Sequence, residues 1–198
     1  MKKNRALFPL ILSLTCCSFS IVLLVACQNN KLSDTLAFAC SSKTNFQRLD
    51  SQVDTRNSFE ISVPSSWKKE FFVDATISSF YCADTLKELQ TTYLLDISHY
   101  NDKLPKLQQL QNKVKSAVFR KPEGKIVDEK ELLFKEKETY YLYSTHTENQ
   151  ILTHTLELYM ANKNNSFYRI TLDIYGNSQV EKRICEALSL IDNCTFYY

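Results

Sequence analysis

Apolar and polar residues alternate along several stretches of the chain. Every second residue of Phe59–Val63 is apolar, and Pro64 follows directly. A period of two predicts a β-strand with one buried face. Comparable stretches predict six more strands, over residues 72–81, 93–97, 126–134, 139–146, 151–160 and 168–174.

Two other segments have the spacing of amphipathic helices. Asp102 followed by Pro105 predicts the start of the first helix, because Asp caps helices and proline fits their first turn. Ser178 and Glu181 have the spacing of a capping box at the start of the second helix. The apolar stripe of the first helix is Leu104, Leu107, Leu110, Val114 and Ala117 or Val118, and that of the second is Val180, Ile184, Ala187, Leu188 and Ile191.

The link over residues 147–150 predicts how two of the strands pair. Hairpin loops of four residues are common, and such a loop places His146 opposite Ile151. The same register places His154 opposite Tyr143.

The predicted order is three strands, a helix, four strands and a second helix. Because the links between strands are short, most neighbouring strands must be antiparallel. Each helix can bury its stripe on the sheet. We therefore expect an α+β domain over residues 59–198, in which a mostly antiparallel sheet of about six to seven strands packs against two amphipathic helices.

The N-terminus has the layout of an export signal. Three basic residues precede an uncharged run over residues 6–26, an arrangement typical of a signal peptide. The run ends in Leu24-Val25-Ala26-Cys27, which resembles the lipobox of bacterial lipoproteins. This resemblance implies a signal peptide over residues 1–26, cleavage before Cys27, and acylation at Cys27. The alternative is an uncleaved signal anchor, because the run is also long enough to span a bilayer.

Acylation of Cys27 would anchor the chain to a membrane of the bacterial cell envelope, facing the periplasm or the exterior. Two or more acyl chains give stable anchoring, whereas one alone is marginal. Residues 27–58 are mostly polar. We interpret them as the lipidated N-terminus and a tether with a reach of ~30 Å.

The charge of the mature chain argues against nucleic acid as a partner. The sequence has 24 basic and 22 acidic residues, and residues 1–26 contain three of the basic ones and no acidic one. The remainder therefore carries 21 − 22 = −1. A near-neutral domain lacks the basic surface that nucleic-acid binding requires.

Four cysteines remain after Cys27, namely Cys40, Cys82, Cys185 and Cys194. An even number in an exported chain suggests two disulfides. Along a helix, Cys185 and Cys194 would lie ~13 Å apart, whereas a disulfide tolerates about 7 Å between Cα atoms. We therefore predict that Cys40 and Cys82 each bond to one of the other two. The alternative is four buried free thiols.

The opening FEISVPSSW (Phe59–Trp67), the order of sheet, helix and sheet, and the final helix resemble the PsbP-like fold. That fold is named after an extrinsic subunit of photosystem II. It is shared with a nuclear import factor that binds the GTPase Ran and with various bacterial lipoproteins. The resemblance covers about the last 140 residues. It implies an accessory role at the envelope, and no functional residue is transferred with it, since one fold can host unrelated functions.

The residues give little support for catalysis. The chain has only two glycines, Gly124 and Gly176, too few for a phosphate-binding loop. The three histidines, His99, His146 and His154, do not have the spacing of metal ligands. We therefore predict neither a metal site nor a cofactor, and we interpret His154 as a core residue. Asp96 and Asp173 lie within strands but fit the polar phase of each alternation.

Tyr140 and Tyr141 belong to a tyrosine-rich strand and form a candidate binding face, because tyrosine is enriched at interfaces. The alternative is that both tyrosines are structural, since tyrosine also favours strands.

Together these patterns predict a membrane-anchored envelope lipoprotein that acts as a non-enzymatic accessory or binding module. Its expected partners are the lipid membrane, through acylated Cys27, and an envelope protein whose identity the sequence leaves open. The alternative is an envelope enzyme or small-ligand carrier with a pocket between the sheet and the helices. A third hypothesis is a structural subunit of a larger envelope assembly.

Overall fold

The computed structural model describes residues 31–36, 38, 40 and 46–197. Cys27 and the signal segment lie outside these residues. In chain order the described elements are α1 (Leu32–Thr35), β1 (Leu49–Val53), β2 (Phe59–Pro64), β3 (Lys68–Val73), β4 (Ile77–Ala83), β5 (Tyr93–Tyr100), α2 (Leu107–Phe119), β6 (Lys125–Phe134), β7 (Lys137–Glu148), β8 (Ile151–Ala161), β9 (Phe167–Tyr175), α3 (Val180–Asp192) and β10 (Thr195–Phe196). A 3₁₀ helix lies at Leu89–Thr91.

Seven strands form the main sheet, in the order β3-β4-β5-β9-β8-β7-β6. Every pair of neighbours is antiparallel, as short links between strands require. The predicted strand over residues 72–81 is in fact two strands. The Asp74 carboxylate accepts hydrogen bonds from the backbone N–H groups of Thr76 and Ile77 and so holds the turn between β3 and β4.

A second, smaller sheet has the order β1-β2-β10 and lies with α3 on one face of the main sheet. In β2, Phe59, Ile61 and Val63 are fully buried in the shared core, as their alternation predicts. The apolar stripe of α3 fills the same core. The α+β class, the mostly antiparallel sheet and its two amphipathic helices are confirmed.

Helix α3 does not begin with the predicted capping box. Gln179 rather than Ser178 directly precedes it, with a φ of +50° and no capping hydrogen bond from its own side chain. The turn is held instead by the Arg183 guanidinium, which donates to the backbone carbonyls of Gly176 and Ser178. A buried cation thus takes the organising role that we assigned to Ser178 and Glu181.

Helix α2 lies on the opposite face of the main sheet. It begins at Leu107 rather than near Asp102, because Leu104 precedes a proline and such a position disfavours helical backbone. The Asp102 carboxylate accepts a hydrogen bond from the Lys103 N–H and caps no helix. The buried side of α2 packs on Tyr140, Leu142 and Tyr159 through Leu110, Val114 and Val118.

The segment that we interpreted as a tether packs against the domain in its described parts. Leu32 and Leu36 of the α1 segment are buried in the core, and the Leu32 N–H donates to the Asp192 carboxylate of α3 at 3.0 Å. Strand β1 pairs with β2. The described residues 31–36 and 49–53 therefore pack as part of the domain, which begins before residue 59.

The β7–β8 hairpin is shifted by two residues from the predicted register. Its turn has only two residues, Asn149 and Gln150, both with positive φ, as tight hairpin turns require. His154 therefore lies opposite Thr145 rather than Tyr143. A shift of two keeps each side chain on its expected face. The Tyr143 hydroxyl still reaches the His154 Nδ1 at 2.7 Å.

None of the helices in the described part of the chain is long and apolar enough to cross a bilayer.

Candidate functional site

The four cysteines of the domain form one disulfide. Cys40 is bonded to Cys185 of α3, with a Cα–Cα distance of 5.4 Å. This is one of the two partners that the sequence allowed for Cys40. The bond joins the N-terminal segment to α3, close to where α1 packs.

The predicted disulfide for the other two cysteines is wrong. Cys82 and Cys194 are free thiols. Cys82 lies on β4 opposite Leu95, whereas Cys194 follows α3, and both are enclosed by the apolar core. Burial raises the pKa of the Cys82 thiol to about 12 and also raises that of Cys194. Because the thiolate is the reactive form, neither residue is a candidate nucleophile.

The candidate binding face at Tyr140 and Tyr141 does not exist as predicted. The two side chains point to opposite faces of β7, and they are 3% and 0% exposed. Tyr140 donates to the Glu129 carboxylate at 2.6 Å. The two buried tyrosines therefore form no shared exposed surface.

The three histidines are separate. His99 contacts Ser58, His146 lies near Lys121, and His154 contacts Tyr143. Burial lowers the pKa of each imidazole. Among the described residues no group of three or more ligating side chains could hold a metal ion.

A cleft opens where α2 leaves part of the main sheet uncovered. Its volume is about 480 Å³, within the range of small-ligand sites. The floor consists of polar side chains on β8 and β9. The wall is formed by Lys113 and Ala117 of α2 and by Lys121, which follows the helix. At one end, the rings of Tyr100 and Phe167 stack at 4.5 Å.

The floor of the cleft is ordered by strand pairing. Thr171 of β9 is paired with Glu157 of β8, and Asp96 of β5, which does not line the cleft, is paired with the other side of Thr171. In the next row, Asp173 of β9 is paired with Thr155 of β8. Antiparallel register thus brings together residues that are far apart in the sequence.

An ion pair forms one part of this floor. Arg169 donates to the Glu157 carboxylate at 2.6 Å through Nη2 and at 3.2 Å through Nε. The Tyr159 hydroxyl donates to the same oxygen at 2.9 Å. Glu157 is therefore held by neighbouring groups and is not an unpaired base.

Burial raises the pKa of two aspartates in this part of the sheet, of which only Asp173 lines the cleft. Burial raises the pKa of Asp96 to about 6, although the Ser98 hydroxyl donates to it at 2.8 Å. Burial likewise raises the pKa of Asp173, which accepts from Thr155 at 2.7 Å. Between Asp96 and Glu157, the buried Thr171 hydroxyl has no hydrogen-bond partner among the described residues.

A second cavity of about 660 Å³ lies under the start of α2. It shares four lining residues with the cleft, so the two are neighbouring parts of one concave surface. The shared residues are Lys103, Pro105, Leu110 and Tyr159. Its lining includes five leucines and two tyrosines, whereas the cleft contains the charged side chains of Glu157, Arg169 and Asp173.

The sequence did not indicate this site. Thr155 and Glu157 fit the polar phase of a strand, a pattern usually read as a solvated face. The signal that could have suggested a site is the combination of such a polar phase with a second amphipathic helix available to cover it.

Comparisons with known proteins support the fold alone. No family profile matches the chain, and no curated protein matches it in sequence. Among solved structures, cyanobacterial PsbP (CyanoP) from Synechocystis sp. PCC 6803 aligns at 13% identity over 79% of this chain and 96% of its own, with a TM-score of 0.52. The Ran-binding protein Mog1p of Saccharomyces cerevisiae aligns at 8% identity over 75% and 95%, with a TM-score of 0.51. A Bacteroides thetaiotaomicron protein aligns at 12% identity over 75% of this chain and 48% of its own, with a TM-score of 0.50.

The seven-stranded antiparallel sheet between α2 on one face and α3 on the other defines an α+β sandwich. The solved structures make this more specific. The domain has the PsbP-like fold.

Proposed function

We propose that this protein is a lipid-anchored envelope lipoprotein that acts as a non-enzymatic binding module. The anchor is supported by the lipobox resemblance at Cys27. The disulfide between Cys40 and Cys185 is consistent with it, because such bonds persist in oxidising compartments outside the cytosol. A Cys27→Ala variant should lose its acyl chains and accumulate with its signal peptide. Normal maturation of that variant would contradict the anchor.

The binding site is the cleft between α2 and the sheet. The observation that carries this assignment is the concave surface of about 480 Å³ beside α2, whose polar lining includes Glu157 of β8 and Arg169 and Asp173 of β9. Binding rather than turnover is proposed because Glu157 and Asp173 already accept hydrogen bonds from Arg169 and Thr155.

A cleft-filling variant tests this assignment. Ala117 lines the cleft on the exposed side of α2, so Ala117→Trp should occupy it without changing the core. Asn112→Trp is the matched control, because Asn112 is exposed on the same helix and lines neither cavity. Small molecules released by denaturing the protein purified from membranes should be present for the wild type and Asn112→Trp and absent for Ala117→Trp. Identical extracts from all three would contradict the cleft.

A second candidate function, docking of an envelope protein, is favoured by strand β3. This edge strand exposes Phe71, Phe72 and Val73 by 42%, 51% and 50%, and exposed edges can pair with a strand from another chain. A Phe72→Lys variant should lose a partner that the wild type captures. Unchanged capture would exclude this surface.

A further inference from the structure

We propose that one end of the domain rests directly on the lipid bilayer. This end, called here the membrane-facing end, consists of Lys31 and α1, Asn193 at the end of α3, and the β6–β7 turn at Lys135–Glu136. The inference rests on the proposed acylation of Cys27, and it adds which surface of the domain the membrane covers.

The chain between the proposed anchor at Cys27 and the start of the domain at Lys31 is short. From Cys27 to Lys31 the chain takes four residue steps. Consecutive Cα atoms are about 3.8 Å apart, so this link spans ~15 Å at most, whatever its conformation. That is half of the ~30 Å reach of the longer tether expected from the sequence.

The domain end of this link, at Lys31, is held in place by the residues that follow it. Leu32 is 1% exposed and Leu36 is 3% exposed. The Leu32 N–H donates to the Asp192 carboxylate, and the disulfide joins Cys40 to α3 a few residues later. The start of the domain therefore cannot move away from α3 to lengthen the link.

The β6–β7 turn and the end of α3 surround the start of the domain at Lys31. The Lys135 ammonium donates to the backbone carbonyls of Asp192 and Cys194 at 2.8 and 2.5 Å, which places the β6–β7 turn beside the end of α3. The Lys130 ammonium reaches the Thr35 carbonyl at 3.4 Å. These elements all lie within the short reach of the anchor.

Charge modifies this contact but does not create it. Lys31, Lys130 and Lys135 are basic, and a lysine near an anionic membrane surface contributes ~1 kcal/mol. Asp34 and Glu136 are exposed and oppose them. The short link, rather than a basic patch, thus determines the orientation, and we expect it on uncharged bilayers too.

The opposite end of the domain gives a matched control position. Strand β7 runs from Lys137, next to the β6–β7 turn, to Glu148, next to the β7–β8 turn at Asn149. Twelve residues of strand extend ~36 Å at about 3.3 Å per residue. Asn149 should therefore lie well above the bilayer when Asn193 touches it.

The test uses the full lipidated chain in vesicles of phosphatidylethanolamine and phosphatidylglycerol, and again in phosphatidylcholine alone. A fluorophore is attached to Asn193→Cys or to Asn149→Cys; the buried thiols of Cys82 and Cys194 should not react. Lipids with a nitroxide headgroup should quench the label at position 193 and not at 149. A Gly-Ser spacer of about 20 residues inserted between Asn30 and Lys31 adds ~25 Å of reach and should abolish the difference.

Mass spectrometry of the N-terminal peptide separates the two ways of failing. An acylated Cys27 with equal quenching at both positions would overturn the orientation and leave the lipoprotein proposal intact. An unmodified Cys27 would overturn both.

Discussion

Arg183 offers a quantitative test of how α3 is attached to the main sheet. The side chain is 3% exposed, and its guanidinium donates to four backbone carbonyls. Nη1 reaches Thr92 at 2.6 Å and Tyr175 at 2.9 Å, and Nη2 reaches Gly176 at 3.2 Å and Ser178 at 2.6 Å. One residue thereby joins α3 to the end of β9 and to the start of β5.

The substitution Arg183→Met keeps much of the side-chain volume and removes all four hydrogen bonds. A hydrogen bond to a charged group contributes about 1.5–3 kcal/mol, and each carbonyl left without a partner costs about 1–3 kcal/mol. Burial also lowers the pKa of the guanidinium, so part of this gain is already offset by desolvation. Since water can reach some of the freed carbonyls, we expect a net loss of about 3–5 kcal/mol, well below the sum over four such hydrogen bonds.

Urea unfolding measures this loss, with fluorescence of the single tryptophan as the signal. Trp67 is 7% exposed and packs edge-on against Tyr93, so its emission should change on unfolding. The adjacent and exposed Lys182 is the matched control, and Lys182→Met should change stability by less than about 0.5 kcal/mol. A loss below about 1 kcal/mol for Arg183→Met would refute the organising role of this residue.

Three further predictions concern the sheet and the disulfide. Burial raises the pKa of Asp96 to about 6, so the folded state holds a proton that the unfolded state loses near pH 4, and stability should fall as pH rises towards 6. Asp96→Asn should remove the part of this fall that Asp96 causes, leaving the part due to Asp173, and should be more stable than the wild type at pH 8 by on the order of 1–3 kcal/mol. Parallel pH profiles of the two proteins would contradict this. The double variant Cys40→Ser/Cys185→Ser opens a loop of 145 residues and should lose up to ~5 kcal/mol in the chain-entropy account, seen as a lower urea midpoint that reductant does not change further. Tyr140→Phe should lose about 1 kcal/mol with its bond to a carboxylate, whereas Tyr141→Phe should be close to neutral, because its buried hydroxyl has no described partner; equal losses in thermal unfolding would oppose this distinction.

Much of the fold could be predicted because its strands bury one face. The alternation in Phe59–Val63 predicts which side chains enter the core, because this pattern is visible within a few consecutive residues. The hairpin register was missed because it depends on Asn149 and Gln150 adopting positive φ, which neither residue requires. The face of each strand was still correct, since the error was two residues.

The N-terminal segment was misinterpreted for a different reason. Leu32 and Leu36 are isolated apolar residues in a polar stretch, and their burial depends on a groove that α3 provides. Strand β1 is half exposed along its length, so its composition resembles that of a linker. Only the tertiary structure distinguishes such a strand from a tether.

The cleft could not be predicted because its members come from separate strands. Tyr100 of β5 and Phe167 of β9 become neighbours only when β9 pairs with β5, a pairing without a local signal. Arg183 was missed because a cation on the inner side of a helix conflicts with the hydrophobic pattern used to find helices. Buried polar groups are therefore the part of this protein that is hardest to predict from the sequence.

Nuclear magnetic resonance mapping of ligand contacts tests the central claim, that the cleft is a binding site, most directly. Uniformly ¹⁵N-labelled protein would be titrated with the small molecules extracted from the wild-type protein purified from membranes. If the cleft binds them, amide shifts should be concentrated at Ser144, Thr171, Asp173 and the facing side of α2, and they should be lost in Ala117→Trp. Shifts confined to β3, or unchanged by Ala117→Trp, would contradict it.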